Sequence, residues 1–364
     1  MQNGPRPSRA IPFLAVAAVL CASGGADSYL LVSNGDDWSA EFAQRWDPAV
    51  WGPGETLEWV IADHPGWTSP WVEEDWDREG PALFEKPEEA LPLVAWGLGT
   101  WTNLETADIR WTVTGVQEVA GVLRDGHNTV TTEAAPGKIA SATTWGRRVH
   151  GEWMLEECEV RLSPMVVADM LAGDVFHRGT LVHELGHCLN LQHSAAHGDI
   201  ARTLNVFPDS RGHPPQMAYA FRSFPEPTFD DAVGASLMRP APGWLSTTGA
   251  ISGRITVEGR RATHVMVFAA RMTGSGVEES VSAMTEADGD FHIEGLVSGV
   301  YFLRASSMIR PDAHGHWVPQ GAILDARDKV LLDPVTVRAG RETAGIRLDL
   351  ERGRQGRDWQ PKDR

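Results

Sequence analysis

The residues with the clearest chemical potential form one run, His183-Glu184-Leu185-Gly186-His187, with a further histidine, His193, six positions on. On a helix, His183 and His187 sit one turn apart on the same face, so their imidazoles can share one metal ion. Glu184 stands beside the first of them, where its carboxylate reaches a metal-bound water without ligating the metal. His193 is too far along to share that face, so the helix has to end and the chain turn back to deliver a third imidazole. Three protein ligands leave a fourth coordination position for water, which is the layout of a catalytic rather than a structural Zn2+ site. A chance match to the five-residue core in a chain of this length is on the order of 1%, and requiring the third histidine lowers it about fiftyfold. The competing reading is a surface helix that happens to carry histidines. Glu184 weighs against a purely binding site, which needs no base.

Two elements must position this run. Asp174 is suited to cap a helix running through His183 to about Leu189. Upstream, Trp153 to Leu162 alternates. Met154, Cys158, Val160 and Leu162 fall on one face and Glu157, Glu159 and Arg161 on the other, the pattern of a strand with one buried side. At ~100° per residue, Cys188 lies about 120° around the helix from the midpoint of His183 and His187. It therefore points away from the metal, with Leu181 and Leu185, into the core that Cys158 also faces. A Cys158–Cys188 disulfide is expected, and two buried free thiols are the alternative.

Further out, Leu57 to Ile61 and Ile109 to Val113 have strand character, and Leu91, Val94, Leu98 and Trp101 have helical spacing. Asp63 to Glu89, acidic and proline-rich, reads as a long surface loop. Arg239-Pro240-Ala241-Pro242-Gly243 reads as a linker. Beyond it, short alternating runs separated by Asp288-Gly289 and Ser298-Gly299 argue for a small β-sandwich. The two regions have separate apolar patterns, so a cut after Ser246 is expected to leave the first one folded.

With the third histidine in place, the segment resembles the metzincin metallopeptidases, whose pattern is His-Glu-x-x-His-x-x-Gly-x-x-His followed by a Met-turn. The glycine position is Asn190, the non-glycine residue type that best tolerates a left-handed helix end. Ser194 after the third histidine is as in the matrixins. Pro214-Pro215-Gln216-Met217-Ala218-Tyr219 looks like the Met-turn, with Met238 as a competing candidate, and Phe229-Asp230-Asp231-Ala232-Val233-Gly234 is similar to the start of the matrixin C-terminal helix. The resemblance implies an α+β fold class, a metzincin-type zinc metallopeptidase domain of twisted sheet and long helices, followed by a small β-sandwich. It implies an endopeptidase in which His183, His187 and His193 hold Zn2+ and Glu184 is the general base. Tyr219 then either contacts the zinc, as in astacins, or walls the substrate pocket, as in matrixins. Residues 249–350 resemble the carboxypeptidase regulatory-like family on Gly249-Ala250-Ile251-Ser252-Gly253 and Asp288-Gly289-Asp290-Phe291. That module has two readings, a contact surface for substrate or another surface, and a spacer.

The remaining sequence sets the context. Arg6 and Arg9 precede an apolar run from Ile11 to Cys21 and small residues to Ala26, the order of a secretory signal peptide. That run is well short of the ~20 residues needed to span a bilayer, so no transmembrane anchor is expected. The expected division is a signal peptide at 1–26, a matrixin-like catalytic domain at 27–240, a linker at 241–248, the sandwich at 249–350 and a disordered tail at 351–364. Location is then secreted or periplasmic, where the pair Cys158 and Cys188 suits one disulfide. A net charge of -17 disfavours nucleic acid as a partner. The partner expected is a protein or peptide substrate. The alternative function is a secreted binding or adhesion protein whose metallopeptidase-like domain is inactive.

Overall fold

The computed structural model describes residues 19–20, 45–73, 78–118, 124–133, 139–150, 152–191, 215–217, 225–262, 265–273, 276–286, 288–307, 326–327 and 329–352. His193, Tyr219 and nearly all of the expected signal peptide and tail lie outside these residues.

The first half of the chain builds a mixed sheet from seven strands: β1 (Val19–Leu20), β2 (Arg45–Trp46), β3 (Leu57–Ala62), β6 (Trp111–Gln117), β7 (Asn128–Thr132), β8 (Ala140–Val149) and β9 (Glu152–Leu162). The two strands between, β4 (Trp71–Glu73) and β5 (Arg78–Gly80), pair only with each other. The main path runs β1-β8-β9-β7-β3-β6, with β2 also on β9. Strands β6, β3, β7 and β9 are mutually parallel, whereas β8 is antiparallel to β9. Helices α1 (Leu91–Thr102), α2 (Pro164–Leu171) and α3 (Val175–Cys188) accompany this sheet, and α4 (Phe229–Met238) and α5 (Trp244–Thr247) follow.

The second half is a two-sheet sandwich. One sheet contains β10 (Thr248–Val257), β11 (Arg260–Arg261), β14 (Asp290–Val297) and β18 (Glu342–Leu350). The other contains β12 (Val265–Thr273), β13 (Gly276–Met284), β15 (Gly299–Ser307), β16 (Lys329–Val330) and β17 (Val335–Val337).

The expected α+β class with long helices is corrected. Among the described residues strand holds 46% and helix 24%, so β-structure predominates there. The longest helix among the described residues, α3, has 14 residues. Several segments of the first half without a strand signature pair as strands, among them β7 and β8, whereas the sandwich expected in the second half is present. The metzincin-type architecture inferred from the motif is therefore not carried forward.

Local departures have identifiable causes. The stretch read as a surface loop from Asp63 to Glu89 contains the β4–β5 hairpin and two buried tryptophans, Trp67 and Trp71. Trp67 is held by its indole N–H donating to the Ala62 carbonyl at 3.1 Å. On β9 both faces are covered. Glu157 and Glu159 are only 2% and 3% exposed, because β7 and β8 flank the strand and Glu157 accepts the backbone N–H groups of Asp125 and Gly126. The span read as a linker holds α5, with Trp244 buried. Among the described residues no helix is long and apolar enough to cross a membrane.

Candidate metal centre

Helix α3 is fixed at both ends. At its start the Asp174 carboxylate accepts the His177 N–H at 2.9 Å, and that bond holds the Asp174 carboxyl below its ordinary pKa. At its end Asn190 takes φ +70°, the left-handed conformation expected of that position. The N–H of Asn190 donates to the His187 carbonyl at 2.8 Å and that of Leu191 to the Gly186 carbonyl at 3.2 Å. This paired closure satisfies carbonyls that a helix end otherwise leaves open.

The core side of the helix is anchored from three directions. The Trp101 indole N–H donates to the Val182 carbonyl at 2.9 Å, and that of Trp46 donates to the Cys188 carbonyl at 2.8 Å. Cys188 is bonded to Cys158 of β9, with Cα atoms 5.6 Å apart, so the helix is tied covalently to the sheet. The disulfide pairing stands as expected.

On the other side the two histidine rings meet. Both are buried, with centroids 4.7 Å apart and planes at 90°. His183 Nδ1 lies 2.9 Å from the Gln216 carbonyl, and His187 Nδ1 lies 2.7 Å from the Leu191 carbonyl. A carbonyl oxygen can only accept, so each Nδ1 carries a proton, and in a neutral ring that places the metal-ligating nitrogen at Nε2. Those Nε2 atoms face one another at 3.1 Å. Tetrahedral zinc with Zn–N bonds of ~2.0–2.1 Å sets its donor nitrogens ~3.3 Å apart, close to the observed spacing. The carbonyl acceptors behind the rings are the usual outer partners of ligating histidines. The two described imidazole nitrogens are spaced as two of the donors a zinc ion would take. Glu184, next in sequence to His183, is also buried.

A short segment, Pro215 to Met217, closes the site from below. Its Gln216 supplies the carbonyl for His183, and the Gln216 side-chain amide donates to the Gly179 carbonyl of α3. Met217 is buried against the helix. A Cβ on Gly186 would come within 2.3 Å of Met217 Sδ and 2.8 Å of Trp101 Cζ2, so only glycine lets both side chains lie there. Met238, the competing methionine, ends α4 and packs in the main core.

What holds this segment is Asp231, near the start of α4 and fully buried. Its Oδ2 accepts the Gln216 N–H at 2.6 Å and both the N–H and hydroxyl of Thr228 at 2.7 Å, while Oδ1 accepts the Met217 N–H at 2.9 Å. Burial raises its pKa, and the N–H donors from Met217, Thr228 and Gln216 oppose that rise. Sequence reasoning missed the function of Asp231 and of Gln216. The available signal was Thr228-x-x-Asp231, which reads only as a helix start.

Among the described residues, then, the structure brings together the His183 and His187 rings and packs Met217 against Gly186 of the same helix, with Glu184 buried next to His183 in sequence, and no group of three or more His, Cys, Asp or Glu is positioned to hold a metal. The third expected ligand, His193, lies outside the described residues, as does Tyr219. Two other histidines have local structural roles. His64 Nδ1 accepts the Gly66 N–H, and the His177 ring lies 3.0 Å from Asp174.

No family model matches the chain, and no curated protein matches it. Solved structures similar to parts of it include the TIE protein of Bacillus anthracis, at 18% identity over 29% of this chain and 17% of that one, with a TM-score of 0.19. A minor pilin of Streptococcus agalactiae matches at 12% identity over 30% of this chain and 46% of its own, with a TM-score of 0.17. A protein of the DUF3823 family from Parabacteroides merdae matches at 19% identity over 30% of this chain and 47% of its own, also with a TM-score of 0.17. The chain spans less than half the length of each of these three.

Proposed function

We propose that this chain is an exported, zinc-dependent endopeptidase, similar to the matrixins in its site motif, that hydrolyses internal bonds of protein or peptide substrates. The observation that carries the reading is the pair His183 and His187. Both Nδ1 protons are committed to carbonyls, and the two Nε2 atoms converge at 3.1 Å. The spacing of the two Nε2 atoms is close to that of two nitrogens on one tetrahedral zinc ion. His183 and His187 hold the metal, with His193 as third ligand. Met217 and Tyr219 belong to the floor and wall of the same site.

Zinc, when bound, supplies a Lewis acid for the scissile carbonyl and acidifies the attacking water. The chain's own residues do the rest. Glu184 accepts the proton that water loses as its oxygen adds to the carbonyl carbon, and returns it to the amide nitrogen as the C–N bond breaks. The products are a carboxylate and an amine. Gln216 and Leu191 hold a proton on each Nδ1, which orients both rings with Nε2 towards the metal position. Asp231 keeps Gln216 in place.

The test is cleavage of a mixed peptide library by purified protein, with and without a zinc chelator. Internal cuts that stop with chelator and resume on adding zinc support the reading. Protein that holds zinc and cuts nothing points to the inactive binding protein, and cleavage indifferent to chelator excludes zinc catalysis.

A further inference from the structure

Helix α4 carries two adjacent aspartates, each 1% exposed, that serve different halves of the molecule. Asp231 faces the metal centre, as described. Asp230 faces the sandwich, where its Oδ1 accepts the backbone N–H of Ser282 at 2.8 Å and the Ser282 hydroxyl lies 3.1 and 3.3 Å from its two oxygens. Ser282 stands in β13 and is itself buried.

The apolar side chains of α4 are divided in the same way. Ala235 and Met238 belong to the core around the metal helix, whereas Val233 and Leu237 join the sandwich core with Trp244. Contact is close. Gly295, at φ +72° in β14, has no room for a Cβ, which would meet Val233 Cγ1 at 2.6 Å and Trp244 Cη2 at 2.9 Å. A buried carboxylate is costly unless it is hydrogen-bonded, so Asp230 fixes α4 against β13. The next residue on the helix cannot shift independently of it.

We propose that the sandwich is a working part of the metal centre, with Ser282 and Asp230 as positioning residues for the ligand His183. Ser282 holds Asp230, which sets the register of α4. That register lets Asp231 fix Gln216 and Met217, and Gln216 orients the His183 ring. The inference rests on the metal-centre reading above, and it assigns the C-terminal sandwich a role that neither a spacer nor a separate binding module would have.

The test uses full-length protein and zinc affinity, measured by competition with a chromophoric chelator. Ser282→Ala and Asp230→Asn should each weaken zinc binding about tenfold, the lower end of what loss of an outer partner costs. Ser282→Thr, which keeps the hydroxyl, should stay within about twofold of wild type. Leu303→Ala, in the sandwich core two strands over from the strand of Ser282, should lower the unfolding midpoint and leave zinc affinity unchanged. Equal affinity in wild type and Ser282→Ala overturns the proposal, and so does an equal loss in Leu303→Ala. A wild type that binds no zinc overturns the metal-centre reading as well, which distinguishes the two failures.

Discussion

Asp231 and Met217 are joined across fourteen residues of sequence by a 2.9 Å hydrogen bond from the Met217 backbone to the Asp231 carboxylate. The same carboxylate holds Gln216, whose carbonyl meets His183, so one buried side chain organises the floor of the site. Asp231→Asn replaces one acceptor oxygen by a donor facing backbone N–H groups. We expect a loss of about 1–3 kcal/mol in stability and zinc binding weaker by about 10–100-fold. Urea unfolding and chelator competition measure the two effects. Unchanged values would show that the clamp is incidental.

The Cys158–Cys188 bond closes a loop with a sequence separation of 30. In the chain-entropy model such a closure stabilises by about 3–4 kcal/mol. Replacing both cysteines by alanine should lower the unfolding free energy by about that amount. Non-reducing peptide mapping of exported protein should show one cross-linked fragment containing both residues. Two alkylated thiols in folded protein would contradict the pairing.

Glu159 gives a pH signature independent of the metal. Burial raises its pKa to about 7, with Arg161 opposing the rise and Glu157, Asp125 and Glu133 adding to it. Below the ordinary carboxyl range the group is protonated in both folded and unfolded chains and costs nothing. As pH rises, the unfolded chain ionises first, so stability falls until the pH passes the folded value. The loss is at most about 3 kcal/mol. Glu159→Gln should therefore gain stability over wild type at pH 8 relative to its difference at pH 5. The same difference at both pH values would exclude the effect.

The separability expected of the two halves now has a different forecast. A cut after Ser246 uncovers Val233, Leu237 and Trp244, which pack into the sandwich core. Each large apolar side chain contributes about 1.5–3 kcal/mol when buried. The truncated protein should aggregate or bind a hydrophobic dye strongly on size-exclusion analysis. A monodisperse, dye-silent fragment with native zinc affinity would show that α4 stands without its partner.

What was legible in the sequence was local. The i, i+4 histidines, the Asp174 cap and the tolerance of Asn190 for a left-handed turn are short-range properties of the run itself. The Cys158–Cys188 pairing followed from two such periodicities meeting at one core. Strands β7 and β8 were not legible. Asn128-Thr129-Val130-Thr131-Thr132 and Ser141-Ala142-Thr143-Thr144 are dominated by small side chains, most of them polar, placed by tertiary cover rather than by alternation. Asp231 was unreadable for a related reason. In the first turn of a helix an aspartate has an ordinary capping role, and only the fold brings Gln216 and Met217 to it. Helix content was not legible because the histidine motif specifies one helix only, while the segments around it are placed in strands by tertiary pairing.

The central claim is tested most directly by measuring zinc content and peptide turnover together in wild type, Glu184→Ala and His187→Ala. Glu184 handles protons and His187 holds metal, so the two functions should separate. The account predicts about one zinc per chain in wild type and in Glu184→Ala, with turnover in the latter down at least ~100-fold, and little zinc in His187→Ala. Zinc-free wild-type protein, or Glu184→Ala that cleaves as well as wild type, would contradict it.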